Sequence, residues 1–174
     1  MTGPRFGIRV YKEYFNFASS HFLIFPDGTR EELHGHNYQV RVAVRGAMGP
    51  GDVVLDFCQL KPIVRRFCAA LDHRTLLPLR NDRVSIEEDG DHLEVRFRRV
   101  DGGADRFVFP RGDCVLLPIA NTSTERLAEH LAGQVIEAIG REVADARLTR
   151  FELEVEESSG QCGQYVVDLT PAAG

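Results

Sequence analysis

Three histidines near the start of the 174-residue sequence are spaced as metal ligands are. His34 and His36 are two residues apart in an alternating segment, so both imidazoles project from one face of a predicted strand. His21 ends the preceding segment and has the parity of Phe15 and Phe17, so it reaches the same face if that strand is not bulged. Three neutral imidazoles with one open position are the ligand set of a catalytic zinc. The alternative is that these are core or surface histidines without a metal.

A glutamate near the C-terminus is a candidate ligand-binding residue. In the segment 148–157, Phe151, Leu153 and Val155 alternate with glutamates, and Glu157 has the parity of the apolar residues. A carboxylate on an apolar face is costly unless a partner satisfies it. A 2-amino-4-oxo pyrimidine ring, which carries adjacent N–H donors, would supply two hydrogen bonds. The alternative is that Glu157 ends the strand and turns to solvent.

Two polar pairs lie at the ends of predicted helices. Asp72 and His73 follow the first helix, and a carboxylate beside a histidine can set its tautomer for general acid–base work. A histidine at a helix C-terminus also interacts favourably with the helix dipole without any catalytic role. Ser123 and Thr124 begin the second helix and offer hydroxyls and free N–H groups to a polar ligand. Helix capping accounts for them equally well.

The pattern of apolar residues predicts the strands that carry these side chains. Aromatic and β-branched residues predict strands over 9–21 and 34–45, joined as a hairpin, and a further strand over 148–157. Helices lie between these strands without strict β–α alternation, which is typical of an α+β fold with an antiparallel sheet. We expect one domain over residues 1–174.

Two helices are predicted from the helical period. One regular helix should begin near residue 60, because Pro62 would remove a hydrogen bond from a longer one. The other should cover about 123–139, with Thr122 and Glu125 spaced as a capping box.

The segment of approximately 82–115 is predicted to be a β-hairpin insert on the domain surface. Residues 84–86 and 93–97 alternate around an Asp-Gly turn signal, and 106–109 adds a third short strand. Its role is not evident from the sequence; a lid and an assembly surface are two hypotheses.

Composition excludes several classes of function. A net charge of -5 argues against a nucleic-acid-binding surface. The sequence has no run of about 18 apolar residues, so we expect no membrane-spanning helix. The first residues do not resemble a signal peptide, so we expect a cytoplasmic protein with reduced cysteines.

Between about residues 11 and 165 the sequence carries, in order, the motifs F-N-F-A-S-S-H, L-H-G-H-N-Y, V-L-D-F-x-x-L-K, L-D-H, S-T-E and E-E-S-S-G. Together they resemble the 6-pyruvoyl-tetrahydropterin synthase and 6-carboxytetrahydropterin synthase family. The resemblance implies the tunnelling fold (T-fold), an antiparallel four-stranded sheet backed by two helices. It also implies a homo-oligomer, a trimer or a hexamer, with active sites at subunit interfaces.

The resemblance also implies a role for each residue singled out above. The zinc ligands would be His21, His34 and His36, the proton relay Asp72 and His73, the pterin anchor Glu157, and the pocket lining Ser123 and Thr124.

One departure from the family pattern bears on the reaction. The synthases carry a catalytic cysteine four residues before the first histidine of H-G-H, where this sequence has Arg30. Arginine cannot serve as a thiolate. Glu31 instead gives the E-x-x-H-G-H pattern, which resembles a branch that cleaves 7,8-dihydroneopterin triphosphate to 6-hydroxymethyl-7,8-dihydropterin for folate synthesis. Zn²⁺ would lower the pKa of the side-chain hydroxyls and Glu31 would be the general base.

Three alternatives stay open from the sequence. Glu31 could be a solvated loop residue like its neighbour Glu32. The reaction could be that of a 6-pyruvoyl- or 6-carboxytetrahydropterin synthase, with another group such as Cys162 replacing the missing cysteine. The chain could also be a non-catalytic pterin-binding protein, although intact zinc ligands and an intact Asp72–His73 pair argue against it.

Overall fold

The computed structural model describes residues 5–169 of the chain. These residues form nine strands, two α-helices and one 3₁₀ turn. In chain order the elements are β1 (Phe6–His21), β2 (His34–Gly46), α1 (Phe57–Leu71), β3 (Arg74–Pro78), β4 (Val84–Asp89), β5 (His92–Arg98), β6 (Ala104–Pro110), the 3₁₀ turn (Arg111–Asp113), β7 (Cys114–Leu117), α2 (Thr124–Glu142), β8 (Leu148–Ser158) and β9 (Gln161–Asp168).

A mixed six-stranded sheet is the centre of the fold. Its strand order is β7-β3-β1-β2-β8-β9. The four long strands β1, β2, β8 and β9 are antiparallel neighbours, whereas β3 joins β1 and β7 joins β3 in parallel. The predicted α+β class with a four-stranded antiparallel sheet and two helices is therefore confirmed, and two short parallel strands extend that sheet.

The two helices pack on one face of this sheet and enclose the main hydrophobic core. Every second residue of the long strands is apolar and packs against the apolar faces of the helices. The largest fully buried side chains of this core include Phe15, Phe17, Tyr38 and Phe151. The opposite face carries charged pairs such as Arg41 with Glu156. Burying one face of each strand is what sets the register of the sheet.

Helix α1 begins earlier than the sequence predicted. The side chain of Asp56 accepts a hydrogen bond from the N–H of Cys58 at 2.7 Å, so the helix is capped at residue 56 and starts at Phe57. Pro62 lies inside the helix. The prediction of a start near residue 60 is wrong, because a proline in the second turn costs one hydrogen bond and the buried apolar stripe offsets it.

Helix α2 is capped by Ser123 and not by the predicted capping box. The Ser123 hydroxyl accepts from the N–H of Arg126 at 3.4 Å, and the helix continues to Glu142. Thr122, the predicted cap, is fully buried and bonds elsewhere. The cap has moved by one residue because Thr122 is held by β1.

A bulge in β1 decides which side chains face the helices. Tyr11 pairs with Arg41, but Asn16 pairs with Gln39, so β1 carries extra residues between these pairs. The Gln39 side chain spans the bulge through hydrogen bonds to the carbonyls of Lys12 and Phe15. Beyond the bulge the strand is regular, so the parity assumed from Phe15 to His21 is correct.

The insert is a three-stranded antiparallel sheet, β4-β5-β6, as the sequence predicted. It ends at Asp113, because Cys114 already belongs to β7 of the main sheet. The predicted boundary of 115 is therefore two residues too long. One face of the insert is buried and forms a second hydrophobic core with the loop between β1 and β2.

No helix in the described part of the chain is long and apolar enough to cross a membrane.

The contact between β9 and the start of α2 gives a first test of the fold. A Cβ at Gly163 would lie 2.5 Å from the carbonyl carbon of Thr124 and closer still to the nitrogen of Glu125. Gly163→Ala should push the helix from the sheet and lower the free energy of unfolding by about 1–3 kcal/mol, measured in urea. Gly133→Ala, in the same helix with open space around it, is the matched control and should gain up to about 1 kcal/mol. Equal stabilities of the two variants would contradict this account.

Candidate metal centre and active site

The hairpin of β1 and β2 brings the three histidines together. His21 is directly opposite His34 in the register, and His36 is opposite Ser19. Directly opposite residues of an antiparallel pair share a face, so the three imidazoles lie on the helix side of the sheet. One ligand atom from each histidine lies within 4.8 Å of the others, which is close enough for a single ion.

Hydrogen bonds to the outer nitrogens orient two of these rings. Nδ1 of His21 lies 3.1 Å from the carbonyl oxygen of Thr122, and Nδ1 of His34 lies 2.8 Å from that of Glu32. A ring N–H that donates to a carbonyl leaves Nε2 as a lone pair for a metal. Nε2 of His21 is buried and has no hydrogen-bond partner. An unpaired buried nitrogen is costly unless an ion binds it, so the donor set fits a divalent metal.

Burial keeps His21 neutral. The pKa of His21 is lowered from 6.5 to about 4, first by desolvation and then by the nearby His34. A metal ligand must be deprotonated, so this imidazole needs to lose no proton on binding near neutral pH.

Glu31 lies beside the histidines. Its carboxylate oxygen Oε2 is 3.8 Å from Nε2 of His34 and accepts a hydrogen bond from the N–H of Leu23 at 3.3 Å. Its own N–H donates to the carbonyl of Leu23 at 2.9 Å. Within residues 5–169, Glu31 is the one carboxylate whose oxygen lies within 4.0 Å of a ring nitrogen of any of the three histidines.

Arg30, one residue earlier, points away from this centre. Its guanidinium lies 2.7 Å from Asp105 of the insert and is stacked over the ring of Phe107, 4.9 Å from the centroid. The side chain four residues before His34 therefore contacts the insert.

Asp72 and His73 form the predicted pair, but they lie along the edge of β1 opposite to the one that pairs with β2. Oδ2 of Asp72 lies 2.9 Å from Nδ1 of His73, and Oδ1 accepts from the N–H of Ala18 at 2.8 Å. The bond from Ala18, followed by His73, lowers the pKa of Asp72. The side chain of His73 is 84% exposed. In the described residues no hydrogen bond or ion pair connects His73 with the three histidines or Glu31, so the chain does not join the two groups.

The predicted pterin-binding residues lie at the same end of the sheet. Glu157 is half-buried near the end of β8, at a register irregularity between Glu156 and Ser158. Ser123 caps α2, which is the alternative given for it, and the Thr124 hydroxyl donates weakly to Glu125 at 3.4 Å. Their proposed roles towards a ligand stay predictions.

Two residues that contact the histidine cluster were not among the predicted site residues. The Thr122 hydroxyl donates to the carbonyl of Phe22 at 2.9 Å, so Thr122 holds both His21 and its neighbour. The hydroxyl of Tyr38 is buried without a partner, and burial together with the charges of Glu157 and Glu31 raises its pKa. Tyr38 has the parity of His34 and His36, which was a signal in the sequence, whereas the sequence marked Thr122 only as a helix cap.

Comparison with known proteins agrees with this geometry. The model of the 6-pyruvoyl tetrahydropterin synthase family matches residues 9–167. The chain belongs to this family. The resemblance recognised from the motifs is therefore confirmed.

Individual members of the family are similar over most of the chain. The crystal structure of the 6-pyruvoyl tetrahydropterin synthase of Plasmodium vivax has a TM-score of 0.86 and 33% identity, and covers 96% of this chain and 100% of that one. A second structure of that enzyme is a variant in which a catalytic glutamate is replaced by alanine. A candidate 6-carboxy-5,6,7,8-tetrahydropterin synthase of Methanocaldococcus jannaschii is 29% identical over 150 residues, 86% of this chain and 88% of that protein.

A shorter match extends to an enzyme with a different reaction. The dihydroneopterin monophosphate aldolase of Pyrococcus furiosus is 46% identical over 46 residues, which are 26% of this chain and 40% of that protein.

The metal centre predicts a loss of metal when one ligand is removed. His34→Ala should reduce zinc from about one ion per chain to a small fraction, because two imidazoles bind far more weakly than three. Metal content after dialysis, by inductively coupled plasma mass spectrometry, measures this. His92→Ala, an exposed histidine of the insert, is the control and should keep its zinc. Full zinc content in His34→Ala would overturn the assignment.

The low pKa of His21 predicts that the metal-free protein is less stable in acid. Below pH 6.5 His21 is protonated in the unfolded chain, but in the folded chain, where it is buried next to His34, His36 and Glu31, it is protonated only below about pH 4. Stability is complete above pH 6.5 and falls across this window, by about 2 kcal/mol at pH 5. Urea unfolding of chelator-treated protein at pH 7 and pH 5 measures it. His21→Asn, which cannot titrate, should show a smaller difference; an equal one would refute the explanation.

Proposed function

We propose that this protein is a zinc-dependent lyase that cleaves the side chain of 7,8-dihydroneopterin triphosphate to give 6-hydroxymethyl-7,8-dihydropterin. The observation that carries the proposal is the carboxylate of Glu31, 3.8 Å from Nε2 of His34. A carboxylate at this place can accept a proton from a hydroxyl of a substrate bound at the metal.

The surroundings of the cysteines argue against a thiol-dependent synthase. Burial raises the pKa of Cys68 to about 12, and burial also raises the pKa of Cys114. Cys58 lies in the first turn of α1. Cys162 is opposite Glu156 in the register, and therefore lies on the sheet face away from the histidines.

The half-buried Glu157 supports a pterin as substrate. Burial, and after it the charge of Glu157, raises the pKa of Tyr38, whose side chain shares a face of β2 with His34 and His36. A carboxylate there would accept two hydrogen bonds from the amino and ring N–H groups of a pterin.

In the proposed reaction the chain's own residues move the protons. A zinc ion bound by the three histidines would lower the pKa of side-chain hydroxyls. Glu31 takes the proton of the hydroxyl on the second side-chain carbon, the bond between the first and second carbons breaks, and its electron pair enters the conjugated pterin ring. The first carbon then takes up a proton, for which Asp72 and His73 are the candidate donors. The second and third carbons leave as a phosphorylated aldehyde.

An oligomer would bring His73 to the site. Strands β7 and β9 are the edges of the main sheet, and each has one side without a partner strand in the described chain. Exposed edges of this kind pair with other chains. A trimer or hexamer with its sites between subunits would place the Asp72–His73 pair of one subunit at the histidines of another.

Two relatives support the choice of reaction. The Plasmodium vivax enzyme, of the same fold, has a catalytic glutamate. The Pyrococcus furiosus relative is an aldolase for dihydroneopterin monophosphate. The second candidate is a 6-carboxytetrahydropterin synthase reaction, which the Methanocaldococcus jannaschii relative favours.

One incubation separates the candidates. The zinc-loaded protein is mixed with dihydroneopterin triphosphate, or the monophosphate, and the products are identified by mass. Release of 6-hydroxymethyl-7,8-dihydropterin supports the proposal. A product that loses triphosphate but keeps all side-chain carbons would favour the pyruvoyl synthase, and a 6-carboxy product the carboxy synthase. Tight pterin binding without turnover would leave a binding protein.

The role of Glu31 as general base gives a direct prediction. Glu31→Gln should lower kcat for the cleavage by about 10²- to 10⁴-fold and keep zinc content and pterin affinity, because the amide cannot accept the proton. Steady-state kinetics with parallel metal analysis measures this. Glu32→Gln, an exposed neighbour, is the matched control and should retain its activity. Equal kcat values for the two variants would exclude Glu31 as the base.

A further inference from the structure

The insert (residues 82–113) is packed against the loop that carries the proposed base. Phe22 and Ile24 of the β1–β2 loop (residues 22–33) share one buried cluster with residues of the insert and its flanking strands, namely Leu77, Leu93, Val95, Phe97 and Cys114. A Cβ at Gly28 of the loop would lie 2.5 Å from the guanidinium of Arg83. The insert is thus not an isolated surface hairpin, because it buries one side of this loop.

Arg30 makes the polar contacts between the loop and the insert. Its Nε and Nη2 donate to Oδ2 of Asp105, at 2.8 and 2.7 Å. Its guanidinium also lies over three rings, 4.9 Å from the centroid of Phe107 and 5.7 Å from those of Phe22 and Phe97. The Arg30 and Asp105 side chains are only 18% and 23% exposed. A charge pair that is largely withdrawn from water and stacked on aromatic rings holds its geometry far better than an exposed one.

The remaining donor of Arg30 reaches the residue that follows it. Nη1 donates to the carbonyl oxygen of Glu31 at 2.7 Å. The N–H of Glu31 is bound by the carbonyl of Leu23, so both peptide groups of Glu31 have fixed partners. These two bonds determine where the Glu31 side chain leaves the backbone, and hence its distance from His34.

We propose that Arg30 is a positioning residue: it connects Glu31 to the three-stranded insert, and the insert thereby sets the place of the carboxylate at the metal centre. The inference rests on the proposed function, in which Glu31 is the base. It gives the insert a role that neither a lid nor an assembly surface describes.

The planar guanidinium is required for this arrangement. It donates to Asp105 and to Glu31 in different directions while its face lies on the rings, which the ammonium group of a lysine cannot do. Asp105 is in turn contacted by Arg99 at 3.2 Å, so its carboxylate is held from the insert side. Removing Arg30 frees the Glu31 carbonyl without touching a metal ligand.

The test compares Arg30→Met with Arg106→Met in the full-length, zinc-loaded protein. Methionine keeps an apolar chain over the rings but cannot donate. Arg106 is also an arginine of the insert paired with a carboxylate, Glu94, yet it does not touch the loop, so its variant should behave as the unmodified protein. For Arg30→Met we expect full zinc content, kcat lower by about 10- to 100-fold and KM changed much less, because a base displaced by about 1 Å loses that much.

A double variant separates positioning from general destabilisation. If Arg30 acts through Glu31, then Arg30→Met should cost nothing further in a Glu31→Gln background. Asp105→Asn, which keeps the packing, should lower kcat in the same direction and is the second variant if Arg30→Met does not fold. Equal losses in both backgrounds, or an unchanged kcat, would overturn the inference.

Hydrogen exchange tests the connection independently of activity. Peptides covering residues 22–33 should exchange faster in Arg30→Met than in Arg106→Met, while peptides of β8 stay unchanged. Unchanged exchange in the loop would refute the role of Arg30. If the unmodified protein forms no 6-hydroxymethyl-7,8-dihydropterin, the proposed reaction fails, and the exchange data still decide whether Arg30 holds Glu31.

Discussion

The hydrogen bond between His21 and Thr122 connects the histidine cluster on the β1–β2 hairpin to the start of α2. Nδ1 of His21, at the end of β1, lies 3.1 Å from the carbonyl oxygen of the residue that precedes the cap of α2. This bond directs Nε2 towards the other histidines, so the geometry of the histidine cluster depends on how α2 packs against the sheet. Gly163 permits that packing, because β9 approaches the first turn of the helix too closely for a side chain. A contact between helix and strand thus determines the orientation of a candidate metal ligand.

The loop before His34 holds two adjacent residues with opposite surroundings. Glu31 faces the histidines, and Arg30 faces Asp105 and the rings of the insert. The two side chains diverge because the isolated bridge between Ile24 and Arg30 makes this part of the loop extended, and neighbouring side chains of an extended chain point to opposite faces. Arg30, four residues before His34, is therefore tied to the insert through the aromatic rings of the second hydrophobic core.

Much of the fold followed from local patterns. Aromatic and β-branched composition predicted β1, and alternation predicted β2, β8 and the strands of the insert, because each of these buries one face. Strands β3, β7 and β9 were missed. The first two are short parallel strands, and β3 directly follows α1 with no alternation, as expected where a strand is covered on both faces. The start of α1 was misplaced and the cap of α2 was predicted one residue too early. Asp56 and Ser123 cap these helices through side-chain contacts, which the period of apolar residues does not encode.

The sequence alone determined the three candidate metal ligands, their spacing on a hairpin and the carboxylate three residues before His34, because all of these depend on neighbours along one strand or loop. The tertiary structure decided three other points. The bulge in β1 places His21 on the helix side, since the parity of Val10 would otherwise carry it to the opposite face. Thr122 orients His21 from 101 residues away. Asp105 binds Arg30 from 75 residues away. Contacts between distant segments form only when the chain has packed, and no local period in the sequence encodes them.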